Sequence, residues 1–386
     1  MASASMNAQA YAPSVITSSA PRLREAAFDD YPQLASLQAE RGLRVRSCEE
    51  WRHLWEDNPA YIDRDRKWPI GWVLEAGSKI VGYVGNIPTQ YVFEGRELTA
   101  GCGYSWVVTP AYSSYSILLL HEYLRQENAA LCVSTTASSK SSKAHMALGA
   151  APAPGTTWDR ASVWITNYAG FVTSWLEKKK WPMARAISYP ISAALYAKDA
   201  IRKRASHQKN GLNGHIEVEC CKHFDERFEA FWERLQTENP DKLLANRSRR
   251  ALAWHFRFAL QEEKLWIATV KEGPSLQAYA IFKLLSNAND ETKRIALIDF
   301  QSAADKENLF YSLLDWALER CSTEGIHLLE TIGLCPKGIG DISALAPYTI
   351  QQEGRPLYKA RDTSLAKRLS EPSVWAPCLF DGDASV

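Results

Sequence analysis

The sequence predicts an α/β protein of the α+β kind, built from two copies of one unit. Three observations predict it. The chain has 386 residues, too many for one ordinary core and enough for two domains of roughly 150 residues each. Its apolar content is 46%, with 14 Trp, 16 Tyr and 12 Phe, as in a folded globular protein and not a disordered one. One order of strands, turns and helices then runs through the chain twice, with low identity but similar spacing over about 110 residues.

The elements of the first copy follow from local signals. Residues 1–21 are rich in Ala and Ser and carry no charge. Without a basic start or a long apolar stretch they read as a flexible leader. From Arg22 a short strand passes into a helix that Asp29 or Asp30 can cap, with Leu34, Ala35 and Leu37 as its stripe. Ser47 followed by Glu50 is a capping box ahead of Trp51, Leu54 and Trp55, so a second helix starts there. Apolar runs at 72–74 and 80–84, split by Gly77 and Ser78, predict a hairpin, and a second one turns at Glu94 and Gly95. The strand at 104–108 breaks at Thr109 and Pro110, crosses a polar loop over 111–116 and enters a helix over 117–128. A strand, a turn of small polar residues and a helix can present free backbone N–H groups to a phosphate. A strand over 131–136, a helix over 139–148 and an aromatic-rich run over 158–168 complete the copy.

Residues 171–204 differ in character. Lys178, Lys179, Lys180, Arg185, Lys198, Arg202, Lys203 and Arg204 face only Glu177 and Asp199. The excess is +6 in a chain of net charge +1, so everything else sums to −5. Trp175, Trp181, Tyr189 and Tyr196 are interleaved with the basic residues. One reading is a helical connector packed across both copies; the other is an amphipathic segment resting on an anionic membrane surface. Residues 206–214 are a polar, Gly-containing linker.

The pattern then restarts. Phe224 and Leu235 echo Phe28 and Leu37, and Trp254 and Phe258 stand where Trp51 and Trp55 stood. The runs at 266–270, 277–282 and 294–300 take the places of 72–75, 80–84 and 103–108. The runs at 309–320 and 326–332 replace 117–126 and 131–136. The expected division is a leader (1–21), a first copy (22–168), a basic aromatic connector (169–213), a second copy (214–366) and an irregular tail (367–386).

Several function classes are excluded or disfavoured. A net charge of +1 gives no global pull toward nucleic acid. The eight cysteines form no CxxC, and the adjacent Cys220 and Cys221 do not fit disulfide geometry. Scattered thiols fit a reducing cytoplasm. No run approaches the ~18 apolar residues of a membrane span. The chain has no GxSxG, no GxxxxGK[ST] and no GxGxxG. Cys220 and His223 lack a second ligand pair, so no metal is expected.

The element order, together with Val108, Pro110 and Tyr112 in the run 107–118, resembles the GNAT superfamily of acyl-CoA N-acyltransferases, as two copies covering nearly the whole chain. The family frame is V-x-P-x-Y-(R)-x-x-G-x-G; here Ser113 stands at the Q/R position, Ser116 at the first Gly and Leu118 at the second. The resemblance implies, for each copy, a mixed, mostly antiparallel twisted sheet flanked by helices, whose fourth and fifth strands splay to admit an acyl-pantetheine arm. It implies acetyl-CoA or another acyl-CoA as substrate, with Ser113, Ser114, Tyr115 and Ser116 at its pyrophosphate. Strand backbone at Trp106, Val107 and Val108 would face the thioester, and Ser138 and Lys143 would lie near the fifth strand's end. Residues 143–150 resemble the end of the family's last helix, with His145 where many members carry the Tyr that protonates the thiolate. Glu75 and Tyr104 are the candidates for the acceptor side. After Asp299 and Phe300 the second copy's loop, 301–308, carries two acids, Asp305 and Glu307, and no Gly, so cofactor is expected in the first copy only. The implied reaction is acyl transfer to an amine acceptor, either a small molecule or one linked to a lipid or sugar. The alternatives are a degenerate pair acting as a ligand-binding or scaffolding module, and a transfer resembling that of the Fem-type aminoacyltransferases to a membrane-linked acceptor at the inner face.

Overall fold

The computed structural model describes residues 20–155, 158–207, 216–287, 290–304, 306, 308–333, 342, 345–352 and 354–385. Most of the expected leader and all but residues 206 and 207 of the linker lie outside them.

The first copy opens with β1 (Arg22–Glu25), α1 (Tyr31–Glu40), α2 (Cys48–Glu56) and α3 (Pro59–Ile62). The capping box forms as read: Ser47 accepts the Glu50 N–H while the Glu50 carboxylate accepts the Ser47 N–H. Then come β2 (Gly71–Ala76), β3 (Lys79–Phe93), β4 (Arg96–Val108), α4 (Ser116–Arg125), β5 (Leu131–Ser134), α5 (Ser139–Ala147), β6 (Ala151–Pro152) and β7 (Arg160–Ile165). The runs at 80–84 and 91–93 are one strand, although Pro88 lies inside it. That proline has no N–H to pair, but by residue 88 β3 has outrun β2, which pairs only with 79–85. Two connecting helices follow, α6 (Tyr168–Lys178) and α7 (Ala184–His207). They pack on each other through Val172, Leu176 and Ala184. Tyr168 and Tyr348 both donate to the buried Asp199 carboxylate (2.7 and 2.9 Å), which pins α7 to the second copy.

The second copy comprises β8 (Glu219–Cys221), α8 (Glu226–Glu238), β9 (Leu244–Ala245), α9 (Arg249–His255), α10 (Arg257–Gln261), β10 (Leu265–Glu272), β11 (Ser275–Asn287), β12 (Asp290–Ser302), α11 (Leu309–Thr323), β13 (Leu328–Ile332), β14 (Tyr348–Gln351), β15 (Leu357–Ala360) and α12 (Thr363–Leu369). The copies meet where α2 faces α9. There Trp254 Nε1 donates to the His53 carbonyl (2.9 Å), and His53 Nε2 donates back to the Trp254 carbonyl (2.9 Å).

The sheets are mixed as expected, and they exchange strands. The first runs β1-β2-β3-β4-β5-β15-β6 and the second β14-β7-β13-β12-β11-β10-β8. Among the described residues only β4–β5 and β12–β13 pair in parallel. The last strand of each copy lies in the other copy's sheet: β15 between β5 and β6, and β7 between β13 and β14. The sheets therefore cross the boundaries 22–168 and 214–366. Beyond α12 the described chain, residues 370–385, has only two short 3-10 turns, Pro372–Val374 and Leu379–Asp381, yet Val374, Cys378, Leu379 and Phe380 are buried in one core with Trp51, Tyr91, Phe228 and Tyr279. Their apolar residues follow no period, which is why sequence pattern treats them as a tail.

Candidate functional site

The centre of the first sheet does not close. β4 and β5 pair over Ala100–Leu131, Gly101–Cys132 and Cys102–Val133, and there the ladder stops while β4 continues to Val108. Tyr123 of α4 stands at the point of separation, fully buried, its hydroxyl 2.9 Å from the Gly101 carbonyl and 2.5 Å from the Val133 carbonyl. One side chain thus occupies the place of the next strand–strand bond. Close approach here requires glycine: a Cβ on Gly101 would lie 2.5 Å from Asn86 Oδ1 and 2.7 Å from Gln126 Nε2.

The separated part of β4 is also bulged. Tyr83 opposes Val107 and Gly85 opposes Tyr104, so Val84 faces the two residues Ser105 and Trp106. Ser105 is left-handed (φ 54°), which for a residue with a Cβ costs roughly 1–2 kcal/mol. Its hydroxyl is held by the buried Gln38, whose Nε2 donates at 2.7 Å. Two donors on this segment, Trp106 Nε1 and Thr109 Oγ1, are buried without a partner. A buried donor without an acceptor costs ~1–3 kcal/mol. The opening therefore offers a free strand edge and unfilled hydrogen-bonding groups.

The expected loop is a 3-10 helix, Pro110–Tyr115, that runs directly into α4. No residue from 106 to 118 has positive φ, so serines hold this turn as readily as glycines. In a 3-10 turn each N–H binds the carbonyl three residues back. The Ser116 hydroxyl also donates inward, to the Ser113 carbonyl (2.7 Å). What faces outward is the side chains of Ser113 and Ser114, both exposed, while Tyr115 tilts against Tyr112.

Across the opening stands α5. Ser138 caps it, accepting the Ser141 N–H (3.3 Å), and Lys143 is exposed on its first turns. His145 is buried with its ring edge-on to Trp106, centroids 5.7 Å apart. Its Nδ1 lies 2.8 Å from the Ser141 carbonyl, which can only accept, so Nδ1 carries the proton. Burial lowers the ring's pKa, leaving it neutral at pH 7 with Nε2 as a bare acceptor. Proton donation from Nε2 is not what this tautomer provides.

The acceptor-side candidates separate. Tyr104 accepts from Arg46 Nε (3.2 Å) and lies under that guanidinium, which lines a cavity between the copies. Glu75 is at the outer end of β2, bound to Arg24 (3.3 Å), which also holds Asp30 (2.8 Å). It does not line the cavity.

The cavity has a volume of about 450 Å³. It runs from Thr135 and Thr136 at the end of β5 to Lys283, Arg294 and Glu330 on the second sheet, with α10 and the 44–54 region as walls. Lys283 Nζ donates to the Ser385 carbonyl (2.6 Å), and burial, with Arg46 and Arg44 adding repulsion, brings its pKa down to about 8. His255 Nε2 is 2.7 Å from Ser385 Oγ, and burial holds its ring well below the usual histidine range. The chain at 382–385 enters between the copies here. A Cβ on Gly382 would lie 2.1 Å from Thr135 Oγ1. Asp383 accepts from Thr135 and Thr136 Oγ1 (2.8 Å each), and burial raises its pKa against those bonds. Just behind, Arg247 binds Asp299 (2.9 and 3.1 Å) and Asp381 (2.8 Å), and Tyr279 also donates to Asp299 (2.9 Å). Arg46, Tyr123, Lys283, His255 and Asp383 escape sequence reasoning because they come from five separate segments and carry no shared motif. Among the described residues no group of three or more His, Cys, Asp or Glu is placed to hold a metal.

The architecture has known counterparts, and they define a class of fold. A GCN5-related N-acetyltransferase from Anabaena variabilis superposes with TM-score 0.52 at 11% identity, covering 89% of this chain and 73% of that one. One from Kribbella flavida gives 0.51 at 11%, covering 90% and 72%. An N-myristoyltransferase from Saccharomyces cerevisiae, solved with bound myristoyl-CoA, gives 0.55 at 11%, covering 88% and 78%. No protein-family model and no curated protein matches the sequence. The chain therefore has the fold of the GNAT superfamily, in tandem, at a sequence distance where fold alone is shared.

Proposed function

We propose that this chain is an acyl-CoA-dependent N-acyltransferase, with the thioester in the opening of the first copy and the amine acceptor in the cavity between the copies. The observation that carries it is the separation of β4 from β5 beyond Cys102, with Trp106 Nε1 and Thr109 Oγ1 buried and unpartnered beside it. A ligand arm containing secondary amides supplies the acceptors and donors that such an edge lacks. The phosphates would meet the Ser113, Ser114 and Ser138 hydroxyls and Lys143, since the wound turn spends its own amides.

The acyl-CoA supplies an activated carbonyl. The neutral amine nitrogen attacks it; the C–N bond forms, the C–S bond breaks, and the amine loses one proton. Asp383, between the end of β5 and the cavity, is the carboxylate placed to take that proton, and its raised pKa makes it the stronger base. The departing thiolate takes up a proton in turn, giving an amide and a free thiol. Backbone N–H groups of the bulge at 105–107 are the donors for the thioester oxygen. The proposed compartment is the cytoplasm, on the lack of a disulfide framework in the sequence.

A ligand-binding module without turnover is the second reading, favoured by a turn that binds its own amides. Calorimetric titration of the full chain with acetyl-CoA and longer acyl-CoAs, followed by thiol release with a panel of amines, separates the two. Binding with thiol release supports the enzyme, and binding without release from any amine supports the module. If no thioester binds at millimolar concentration, the enzyme reading fails.

A further inference from the structure

The strongest feature outside this site is the outer surface of α6, α7 and the turn between them. Seven of the fourteen exposed large apolar side chains among the described residues fall within 175–201. Trp175, Trp181 and Met183 lie at or near the turn, the last two 52% and 75% exposed, and Tyr189 (72%) and Tyr196 follow along α7. These side chains are not left over from a missing core. The helices already bury Val172, Leu176 and Ala184 against each other, and Asp199 anchors α7 to the second copy.

Charge is sorted on the same hairpin. Lys178, Lys179, Lys180, Arg185 and Lys198 are all exposed. Of the two acids within 171–204, Asp199 is turned inward and accepts two tyrosine hydroxyls, which leaves Glu177, 3.8 Å from Arg185, as the other acid of the segment. The turn keeps an unfavourable backbone: Lys180 and Met183 are both left-handed (φ 56° and 58°), with Trp181 held outward between them. Lys180 stands where a helix end usually places glycine. Such strain in an exposed, non-glycine turn marks a geometry kept for use.

We propose that this hairpin docks the protein on the surface of an anionic lipid bilayer. Indole and phenol rings favour the interface between headgroups and acyl chains, and lysines beside them face the lipid phosphates. Complementarity selects this occupant, since the segment is +6 and the remainder of the chain −5, so an anionic sheet orients the molecule hairpin first. Among the described residues no helix is long and apolar enough to cross a membrane, and the contact is peripheral. Docking of the hairpin does not depend on acyl transfer.

The test is flotation of the full chain with vesicles of phosphatidylcholine alone and of phosphatidylcholine with phosphatidylserine. Binding is expected only to the second kind. It should fall sharply between about 0.1 M and about 1 M salt, as the screening length drops from ~10 Å to ~3 Å. Replacing Lys178, Lys179 and Lys180 together by Gln should weaken partitioning about a hundredfold, at ~1 kcal/mol for each basic residue. The double variant Trp181→Ser, Met183→Ser should weaken it at both salt concentrations. All five positions are exposed, so unchanged melting curves confirm that the variants fold. Three results overturn the proposal: no flotation with anionic vesicles at low salt, flotation unaffected by both variants, or binding to a soluble acidic polypeptide in place of vesicles.

Discussion

Arg247 and Asp299 meet where neither touches water, with Asp381, Tyr279 and Cys378 closing the ring around them. Removing one partner leaves a buried charge, so Arg247→Ala should lower stability by about 3–5 kcal/mol in urea denaturation. Lys283 gives a pH signature. Its folded pKa, near 8, lies below the ordinary 10.5, so between those values the unfolded chain binds more protons. Its ammonium therefore destabilises the fold below pH 8, and the penalty is relieved as pH rises toward 10.5. The stability advantage of Lys283→Met over the parent, up to about 3 kcal/mol, should be largest at pH 7 and shrink by pH 10. Gly382 is a test of fit: Gly382→Ala places a methyl group on Thr135 and should cost about 1–3 kcal/mol. Catalysis should suffer too, because the same segment positions Asp383. Trp106→Phe keeps the packing but removes the unpartnered N–H, so acyl-CoA should bind threefold to tenfold more weakly by calorimetry.

The exchanged strands matter most among the elements. β15 sits between β5 and β6, pairing Tyr358 with Val133 on one side and Ala151 on the other. Proline there removes a ladder donor in mid-sheet. Tyr358→Pro should therefore abolish ligand binding by the first copy, although the substitution lies in the second. Residues 22–168 expressed alone lack β15 and expose β7 as an unpaired strand. They should fail to give a cooperative melt, and residues 169–386 supplied in trans should restore one.

At the scale of the whole molecule, one apolar core spans both copies, from Leu34 and Trp51 through Phe228 and Tyr279 to Phe380, and a second lies against the second sheet around Phe282, Phe310 and Leu329. Two independent units would melt separately. With a shared core and traded strands, calorimetry should show a single unfolding transition. The hairpin α6–α7 packs through a separate small cluster of Val172, Leu176 and Ala184, and anionic vesicles that dock its folded form should raise the transition as lipid concentration rises.

Local signals determined much of this protein from sequence. The Ser47–Glu50 box, the turn at Glu94 and Gly95, and the apolar runs of α4 and β5 each act within a few residues, and they fold as the pattern requires. The twofold order of elements carried the architecture, and the basic aromatic segment carried its charge asymmetry. Tertiary structure alone decided which sheet each copy's last strand enters, since periodicity states that a strand exists and not whom it pairs. It also decided that residues 378–385 lie between the copies, because close packing of aperiodic side chains leaves no trace in spacing. The opening beside Trp106 falls between the two cases. The strand and turn were legible, but its width depends on Tyr123, Ser105 and Gln38, which meet only in the folded chain.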